Sequence, residues 1–268
     1  MHHETRAAAG DNPSESTVIL NTVLPYKIET EFKRPQKAKP SKPASIIEDM
    51  IKNGFRVVRR NELDLSQVHD VRLIQQVARH AQQEDPAPGR RWRSHSKLEL
   101  RNGHISLLPA TPYMQRYEDN PDDGGKERPF MPIADEALST DTLAFLLEFN
   151  RMIARGVRPQ IFESEPVSVG LHVVSYRPEG TAPSYASPIW FHKDTEEYVA
   201  VVLLGLSRNL GGGENAISSG GRQIEAIFTL RDPLDMLLLT RRDFHAVMPM
   251  YSLDGGPAHR DVLLITFG

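Results

Sequence analysis

The 268-residue sequence predicts a mainly β fold with flanking helices, whose core is a jelly-roll-like sandwich or barrel in the C-terminal half. From Ile161 onward, short runs of Val, Ile and Leu alternate with Gly, Pro and Asn, a pattern typical of several short strands joined by turns. Before residue 155 the longest apolar patterns have helical spacing instead. We therefore predict one domain over 44–268, with helical support over about 44–155 and the core over about 161–268.

The first segment, residues 1–43, is rich in Pro, Lys, Ser and Thr and ends in Lys-Ala-Lys-Pro-Ser-Lys-Pro. This composition predicts a flexible N-terminal arm, because it offers few apolar side chains to bury. Within it, Thr17–Leu24 is rich in β-prone residues and is a candidate to pair with a sheet edge.

The elements of the N-terminal half follow from capping, spacing and turn signals. We predict a helix that begins between Ser41 and Ile47 and ends at Asn53 before Gly54, a strand over Phe55–Arg59, a helix over Leu65–Gln82, a hairpin over Lys97–Leu108 and a helix over Ala137–Ala154. Asn102-Gly103 predicts the hairpin turn, since both residues tolerate a positive φ. The strands predicted in the C-terminal half are Val167–Tyr176, Glu197–Leu206, Ile224–Leu230, Met236–Leu239 and Val262–Phe267.

Composition excludes several classes of function. A formal net charge of -3 with 25% charged residues gives no basic excess for a nucleic-acid groove. The polar segment Met1–Pro13 lacks the apolar core of a secretory signal. The longest apolar run, Val199–Leu206, is far shorter than the roughly 20 residues that span a bilayer. We predict a cytoplasmic protein without a membrane or nucleic-acid partner, and the absence of cysteine excludes disulfides and thiolate chemistry.

His192-Lys193-Asp194 predicts half of a metal site. In an extended segment, residues i and i+2 project to the same face, so His192 and Asp194 can approach one ion while Lys193 points away. A His-x-Asp pair alone is a weak signal, and the alternative is a solvated loop. With a second histidine, however, it forms the two-His, one-carboxylate triad that holds Fe(II) and leaves coordination positions open.

His245 is the favoured third ligand, because it follows the apolar segment that starts at Met236. His259 is a rival, although alternation turns it away from Arg260, and His172 is a weaker one. Three other histidines are most simply surface or hydrogen-bonded residues: His80, His95 and His104.

Arg260 opens the last strand and shares a face with Val262, Leu264 and Thr266. A guanidinium that projects into a barrel requires a carboxylate, which it can bind through two hydrogen bonds. The alternative is a surface ion pair with Asp261 or Asp243. A dicarboxylate that chelates iron at one end and reaches an arginine at the other would explain both features, and 2-oxoglutarate is such a molecule.

Four segments together resemble the Fe(II)/2-oxoglutarate dioxygenases: His192-Lys-Asp194, Leu210-Gly-Gly-Gly-Glu-Asn215, Phe244-His-Ala-Val247 and Arg260–Phe267. More narrowly, the chain resembles the bacterial branch that hydroxylates free L-amino acids, the isoleucine-dioxygenase-like group. The resemblance extends to Gly54–Val58, Arg90–Arg93 and Tyr113-Met-Gln115, and so covers roughly residues 45–268.

The resemblance implies a double-stranded β-helix, a cupin-like jelly roll, with iron at one open end. It implies that His192, Asp194 and His245 bind Fe(II), and that 2-oxoglutarate is held by Arg260 with Tyr176 and, less strongly, Thr266. Oxygen is then the second co-substrate, and 2-oxoglutarate is converted to succinate. Related halogenases lack the carboxylate ligand, so Asp194 favours hydroxylation.

An amino-acid substrate requires partners for its charged groups. Arg93 and Gln115 are candidates for its carboxylate and polar contacts, and Trp190 for an apolar wall, although each of them also fits a purely structural place. The segment Asn120–Arg128 is a candidate lid. The resemblance implies a cyclic substrate such as pipecolic acid, or an aliphatic one, used in the biosynthesis of nonribosomal peptide antibiotics.

Two other hypotheses remain at this point. One is a cupin-like metalloenzyme that does not use 2-oxoglutarate, in which Arg260 is structural. The other is a non-catalytic β-sandwich binding module whose histidines are incidental. Addition of 2-oxoglutarate and iron distinguishes the dioxygenase from both alternatives, because only the dioxygenase would form succinate.

Overall fold

The computed structural model describes residues 42–66, 68–79, 83–86, 89–121 and 123–268. The predicted arm, with its β-prone segment, lies outside these residues apart from its last two positions, as does His80. The flexible arm therefore stays a prediction.

Four α-helices are present in the described chain. They are α1 Pro43–Asn53, α2 Val71–Arg79, α3 Asp135–Leu138 and α4 Asp141–Val157. Short 3-10 turns cover Arg60–Glu62 and Pro159–Phe162. No helix among the described residues is both long and apolar enough to cross a membrane.

Strands make up most of the remaining regular structure. They are β1 Phe55–Val58, β2 Gln83–Glu84, β3 Arg91–Arg101, β4 His104–Leu107, β5 Val167–Tyr176, β6 Tyr198–Leu206, β7 Leu210–Gly212, β8 Asn215–Ser218, β9 Ala226–Phe228, β10 Met236–Thr240, β11 Phe244–Val247, β12 Met250–Ser252 and β13 Arg260–Phe267. The large sheet has the order β1-β10-β6-β13-β5-β3-β2, with β4 on β3. Smaller sheets have the orders β11-β8-β9 and β12-β7. The predicted mainly β, jelly-roll class is confirmed.

The two faces of the large sheet have different surroundings. Along β13, Leu263 and Ile265 belong to a buried cluster that includes Leu146 and Ile153 of α4. Val262, on the alternate face, belongs to a second apolar cluster that lies between the large and small sheets. This alternation follows from the two-residue period of a strand. One face of the sheet therefore packs against helices, and the other is available to form a site.

Two helix predictions were wrong at their starts. The helix predicted from Leu65 begins only at Val71, because the backbone around Leu65 forms a turn in which the Val68 N–H bonds to the Leu65 carbonyl at 3.1 Å. The helix predicted from Ala137 is divided, and α4 begins after Thr140, whose hydroxyl caps it by accepting the Leu143 N–H at 3.1 Å.

Local turn signals gave correct boundaries. Gly54 ends α1 with a φ of 82°, the left-handed conformation that glycine adopts without strain. The hairpin of β3 and β4 turns at Asn102 and Gly103, whose φ values are 51° and 78°. The strand β3 is longer than predicted and begins at Arg91, which brings Arg93 into the large sheet.

Candidate active site

His192 and His245 lie opposite each other on neighbouring extended segments. The N–H of His192 bonds to the His245 carbonyl at 3.0 Å, and the reverse bond measures 2.9 Å. Residues paired in this way across antiparallel chains project to the same face. Their ring centres are accordingly 4.3 Å apart, although the two residues belong to distant parts of the sequence.

Asp194 completes the cluster. Its Oδ1 lies 3.8 Å from His192 Nε2 and its Oδ2 lies 3.5 Å from His245 Nε2. One ligand atom from each residue falls within 4.8 Å of the other two. The three side chains thus converge on one place, where they could hold a single first-row ion. The predicted triad therefore comes together, and its two imidazoles and one carboxylate are the donor set suited to Fe(II).

Hydrogen bonding and burial prepare both imidazoles for a metal. His192 Nδ1 donates to the Trp190 carbonyl at 2.9 Å, which leaves Nε2 for coordination. Burial lowers the pKa of His245 to about 4, although the Asp194 charge opposes the shift. A neutral ring is the form that binds a metal, so His245 does not have to lose a proton first.

The two rival histidines have other partners. His259 lies 3.8 Å from the Asp261 carboxylate, on the opposite face of β13 from Arg260. His172 is buried, and its Nδ1 accepts a hydrogen bond from Arg93 Nη2 at 2.9 Å. Burial together with the Arg93 charge lowers the pKa of His172, which is therefore a neutral acceptor. Among the described residues, His245 is the histidine that lies together with His192 and Asp194, and its role as the third ligand stays a prediction.

Arg260 is 3% exposed and pairs in register with Tyr176 of β5. Among the described residues its Nη2 has no hydrogen-bond partner. Burial lowers the pKa of Arg260, an effect that Tyr176 and Glu214 oppose. The alternative of a surface ion pair is wrong, because the side chain is buried. A buried guanidinium with an unsatisfied donor fits a ligand carboxylate.

The glycine-rich turn gives Arg260 its space. Gly213 has a φ of 78°, and a Cβ there would lie 3.1 Å from Met250 Cγ and 3.7 Å from Arg260 Cδ. A Cβ on Gly212 would lie 2.0 Å from the Pro249 carbonyl oxygen. The Leu210–Asn215 motif thus allows the chain to pass beside the arginine.

One cavity contains the triad, Arg260 and most of the predicted binding residues. It encloses about 880 Å³ of empty space, part of it open to solvent, between the inner face of the large sheet and the β8–β11 sheet. Apolar side chains form much of its wall: Val174, Val199, Val201, Leu237, Val262 and Leu264. A mostly apolar wall with a few convergent polar groups is typical of a small-molecule site.

The candidate co-substrate residues lie at two ends of this cavity. Tyr176 is directly opposite Arg260, so both can contact one carboxylate. Thr266 also lines the cavity but is paired with Gly170 and lies beside His172. Six residues of strand place it about 20 Å along β13 from Arg260. Thr266 therefore does not share a carboxylate with Arg260.

A buried arginine cluster lies on the β3 side of the cavity, where Arg91 pairs in register with Tyr176, the residue that also pairs with Arg260. Arg91 Nε donates to Asp85 Oδ2 at 2.8 Å, whereas Nη1 atoms of Arg93 and Arg128 are 3.8 and 3.9 Å from that carboxylate. Three cations thus surround one anion. Among the described residues, Arg93 Nε and Arg128 Nε and Nη1 have no hydrogen-bond partner. Arg93 lines the cavity, and the surplus of positive charge favours an incoming anion.

Aromatic rings and Gln115 hold this cluster in place. The Arg93 guanidinium lies 4.7 Å from the centre of the Tyr113 ring, and the Arg128 guanidinium lies 5.0 Å from it. Gln115 Oε1 accepts from Asn120 Nδ2 and from Arg128 Nη2, each at 2.9 Å. Since its oxygen is already used twice, Gln115 has its amide N–H groups left to offer to the cavity.

The position of Trp190 differs from expectation, whereas the candidate lid is not tested by the structure. The Trp190 side chain is 70% exposed and does not line the cavity, so the predicted apolar wall has no support, and its carbonyl orients His192 instead. In the segment Asn120–Arg128, both end residues are buried, and Asn120 Nδ2 lies 3.3 Å from Ser187 Oγ. Gly125, Lys126 and Glu127 between them are exposed, and a lid role for the segment stays a prediction.

Sequence reasoning missed two charged residues of this region. Asp85, the anion within the arginine cluster, was assigned only to a loop that breaks a helix. Glu196 lines the cavity, where burial and then the Asp194 charge raise its pKa to about 7. The i, i+2 spacing that relates His192 to Asp194 also relates Asp194 to Glu196, and this signal could have found it.

Comparison with known proteins agrees with this geometry. The family model described as 2OG-Fe dioxygenase matches residues 75–266. The chain is 36% identical over 187 residues to L-isoleucine-4-hydroxylase of Bacillus thuringiensis, covering 69% of this chain and 78% of that protein. It is 32% identical over 186 residues to the 3(1)-hydroxy-L-isoleucine 4-dioxygenase of Pantoea ananatis, covering 68% and 75%.

A solved structure gives the same result for the fold. The crystal structure of IDO from Bacillus thuringiensis matches with a TM-score of 0.74 and 29% identity, over 87% of this chain and 98% of that one. The alternatives of a metalloenzyme that does not use 2-oxoglutarate and of a non-catalytic binding module are therefore wrong. The chain belongs to the 2OG-Fe dioxygenase family, whose members use Fe(II), 2-oxoglutarate and oxygen.

Proposed function

We propose that this protein hydroxylates an unactivated carbon of a free L-amino acid with an aliphatic or cyclic side chain. The observation that carries the proposal is the presence of the triad, the buried Arg260 and the charged Arg93 in one apolar-walled cavity. The printed names of two relatives, a hydroxylase and a dioxygenase of isoleucine compounds, support the substrate class.

In this proposal His192, Asp194 and His245 hold Fe(II), and Arg260 with Tyr176 holds the distal carboxylate of 2-oxoglutarate. The bound iron, 2-oxoglutarate and oxygen supply an oxidative decarboxylation to succinate that is coupled to insertion of one oxygen atom into a C–H bond. The protein orients these groups. The Trp190 carbonyl fixes the His192 ring, and the strand register fixes Arg260 opposite Tyr176.

The substrate residues are assigned by their place in the cavity. Arg93 offers a guanidinium and Gln115 offers amide N–H groups to a carboxylate. The valine and leucine side chains of the wall, among them Val199 and Leu237, accept an aliphatic or cyclic side chain such as that of pipecolic acid. Thr266 stays a candidate at the far end of β13, and a place in antibiotic biosynthesis and in the cytoplasm stays a prediction from sequence.

Mass spectrometry tests the proposal. The enzyme is reconstituted anaerobically with Fe(II) and 2-oxoglutarate and then given oxygen and a panel of pipecolate, proline, isoleucine, leucine, methionine and lysine. We expect one added oxygen atom on a panel member, matched by an equal amount of succinate. Formation of succinate with no modified panel member would contradict a free amino acid as substrate. Absence of succinate, with iron shown to be bound, would contradict the assigned use of 2-oxoglutarate.

A further inference from the structure

Glu196 is an ionisable group in the cavity that the assignments above leave unused. Its side chain lines the same cavity as Arg93 and Asp194. Among the described residues, the hydrogen bond that its carboxylate accepts comes from its own backbone N–H, and no cation lies within ion-pair distance of it. A carboxylate that is largely removed from water with so little compensation is unfavourable unless a ligand supplies a positive group or further hydrogen-bond donors.

The neighbouring Glu197 has ordinary surroundings. Its side chain is 39% exposed and lies 3.6 Å from Arg158 Nε. Glu197 does not line the cavity. The chain therefore directs one of two consecutive glutamates into the site and the other to a surface ion pair, so that the two residues form a natural pair for experiment.

Arg93 does not neutralise Glu196 directly. The two charges are close enough for Arg93 to stabilise the Glu196 carboxylate, yet they form no ion pair within 4.0 Å. The Arg93 guanidinium is held elsewhere, by His172 Nδ1 at 2.9 Å and by the faces of Tyr113 and Phe130. A positive and a negative group thus face one space and remain apart.

This arrangement is complementary to a zwitterion. Asp194 belongs to the metal triad, and Arg260 lies with Tyr176 on the β13 side of the cavity, across β5 from Arg93. Arg93 and Glu196 are then the charged side chains left for the substrate on the cavity wall, together with Arg91, which is already paired with Asp85. An α-amino acid carries an anion and a cation on adjacent atoms and can meet both groups at once.

We propose that Glu196 binds the α-ammonium group of the substrate while Arg93 binds its α-carboxylate, so that the site selects amino acids whose two α-groups are both free. This inference rests on the proposed function and narrows it. An N-acylated amino acid would lose the contact with Glu196. An ester, amide or carrier-bound thioester would lose the charge that Arg93 recognises.

The test compares Glu196→Gln with the matched control Glu197→Gln. The dissociation constant of the panel amino acid that is hydroxylated is measured by calorimetry, anaerobically, on protein loaded with Fe(II) and 2-oxoglutarate. We expect E196Q to weaken binding about tenfold or more, because a charge-assisted hydrogen bond is lost, and E197Q to leave it unchanged. The midpoint of thermal unfolding and the dissociation constant of 2-oxoglutarate should be the same in the wild type, E196Q and E197Q.

A substrate analogue gives a readout specific to the ammonium contact. The wild type should prefer the free amino acid to its N-acetyl derivative, and E196Q should lose most of that preference. Equal binding of the two compounds by the wild type would overturn the inference without any variant. An unchanged dissociation constant in E196Q, or a loss of iron or 2-oxoglutarate binding instead of amino-acid binding, would also overturn it. Failure of the wild type to bind or hydroxylate any free amino acid would contradict the proposed function itself.

Discussion

The β13 end and the β3 end of the cavity, which are separated by β5 alone, are built in different ways. At one end, Arg260 and Tyr176 are direct neighbours in the pairing of β13 with β5. At the other end, Arg93 comes from β3, whereas Gln115, Arg128 and Glu196 come from connections between elements. Strand register gives the first end a geometry that tolerates little change, since a slip by one residue would turn Arg260 out of the cavity. The second end depends on loops, which can vary without loss of the sheet.

This difference suggests a division of labour. A co-substrate shared by a family is suited to the end that strand pairing holds rigid. A substrate that differs between members is suited to the end assembled from loops and held by Asp85 and aromatic rings. Variants at the two ends should therefore affect different kinetic constants.

The largest effect is expected at the proposed metal site. Asp194→Ala should abolish hydroxylation and succinate formation and weaken iron binding more than about 100-fold, because even outer-shell changes cost 10- to 100-fold. Iron content and succinate yield measure this. Lys193→Ala is the matched control, since Lys193 Nζ lies over the Phe244 ring at 4.7 Å and is not in the triad. Full activity of D194A would remove Asp194 from the mechanism.

Arg260→Met should raise the KM for 2-oxoglutarate by about 30-fold or more, because loss of one partner of a buried charge pair costs about 2–5 kcal/mol. The KM for the amino acid should change little. The midpoint of thermal unfolding of the unliganded protein should not fall, since methionine replaces a buried cation that has an unsatisfied nitrogen. A normal 2-oxoglutarate KM in this variant would contradict the co-substrate role of Arg260.

Arg93→Lys should instead change the KM for the amino acid and not the KM for 2-oxoglutarate, and the change should be smaller than that caused by Arg260→Met. Lysine keeps the charge but lacks the planar fork that stacks on Tyr113 and reaches His172. We expect the KM for the amino acid to rise about tenfold, while the KM for 2-oxoglutarate stays within about twofold of that of the wild type. Arg90→Lys is the control, because Arg90 pairs with Glu179 outside the cavity. Equal changes in both constants would mean that the two ends are not independent.

The smallest effect is expected far from both ends. Thr140→Ala removes the side-chain cap of α4 and should lower the free energy of unfolding by about 1 kcal/mol. Denaturation in urea measures this loss. Because α4 packs on the helical face of the sheet, both KM values should be unchanged. A shift in either KM would show that the helical layer influences the site.

The same comparison explains what the sequence could predict. Strand alternation and the Asn102-Gly103 turn are local signals, and they correctly predicted most strands, the hairpin and the cluster of His192, Asp194 and His245. Helix starts were less accurate, because capping by Thr140 competes with a continuous apolar pattern.

The arginine cluster could not be predicted in the same way. Asp85, Arg91 and Arg128 meet through contacts between segments that no local period relates. Trp190 was chosen for its neighbours in sequence, yet its side chain is exposed to solvent. Glu196 alone had a usable local signal, its spacing from Asp194.

The position of Arg260 has a consequence for turnover. In the role proposed for it, Arg260 binds the distal carboxylate of 2-oxoglutarate. Decarboxylation does not change this carboxylate, and succinate retains it. The arginine therefore cannot distinguish the co-substrate from the co-product. Discrimination between them must come from the 2-oxo-acid end of 2-oxoglutarate, which loses its carboxyl group in the reaction. Succinate should therefore compete with 2-oxoglutarate, and its departure depends on the lost chelate and not on any change at β13.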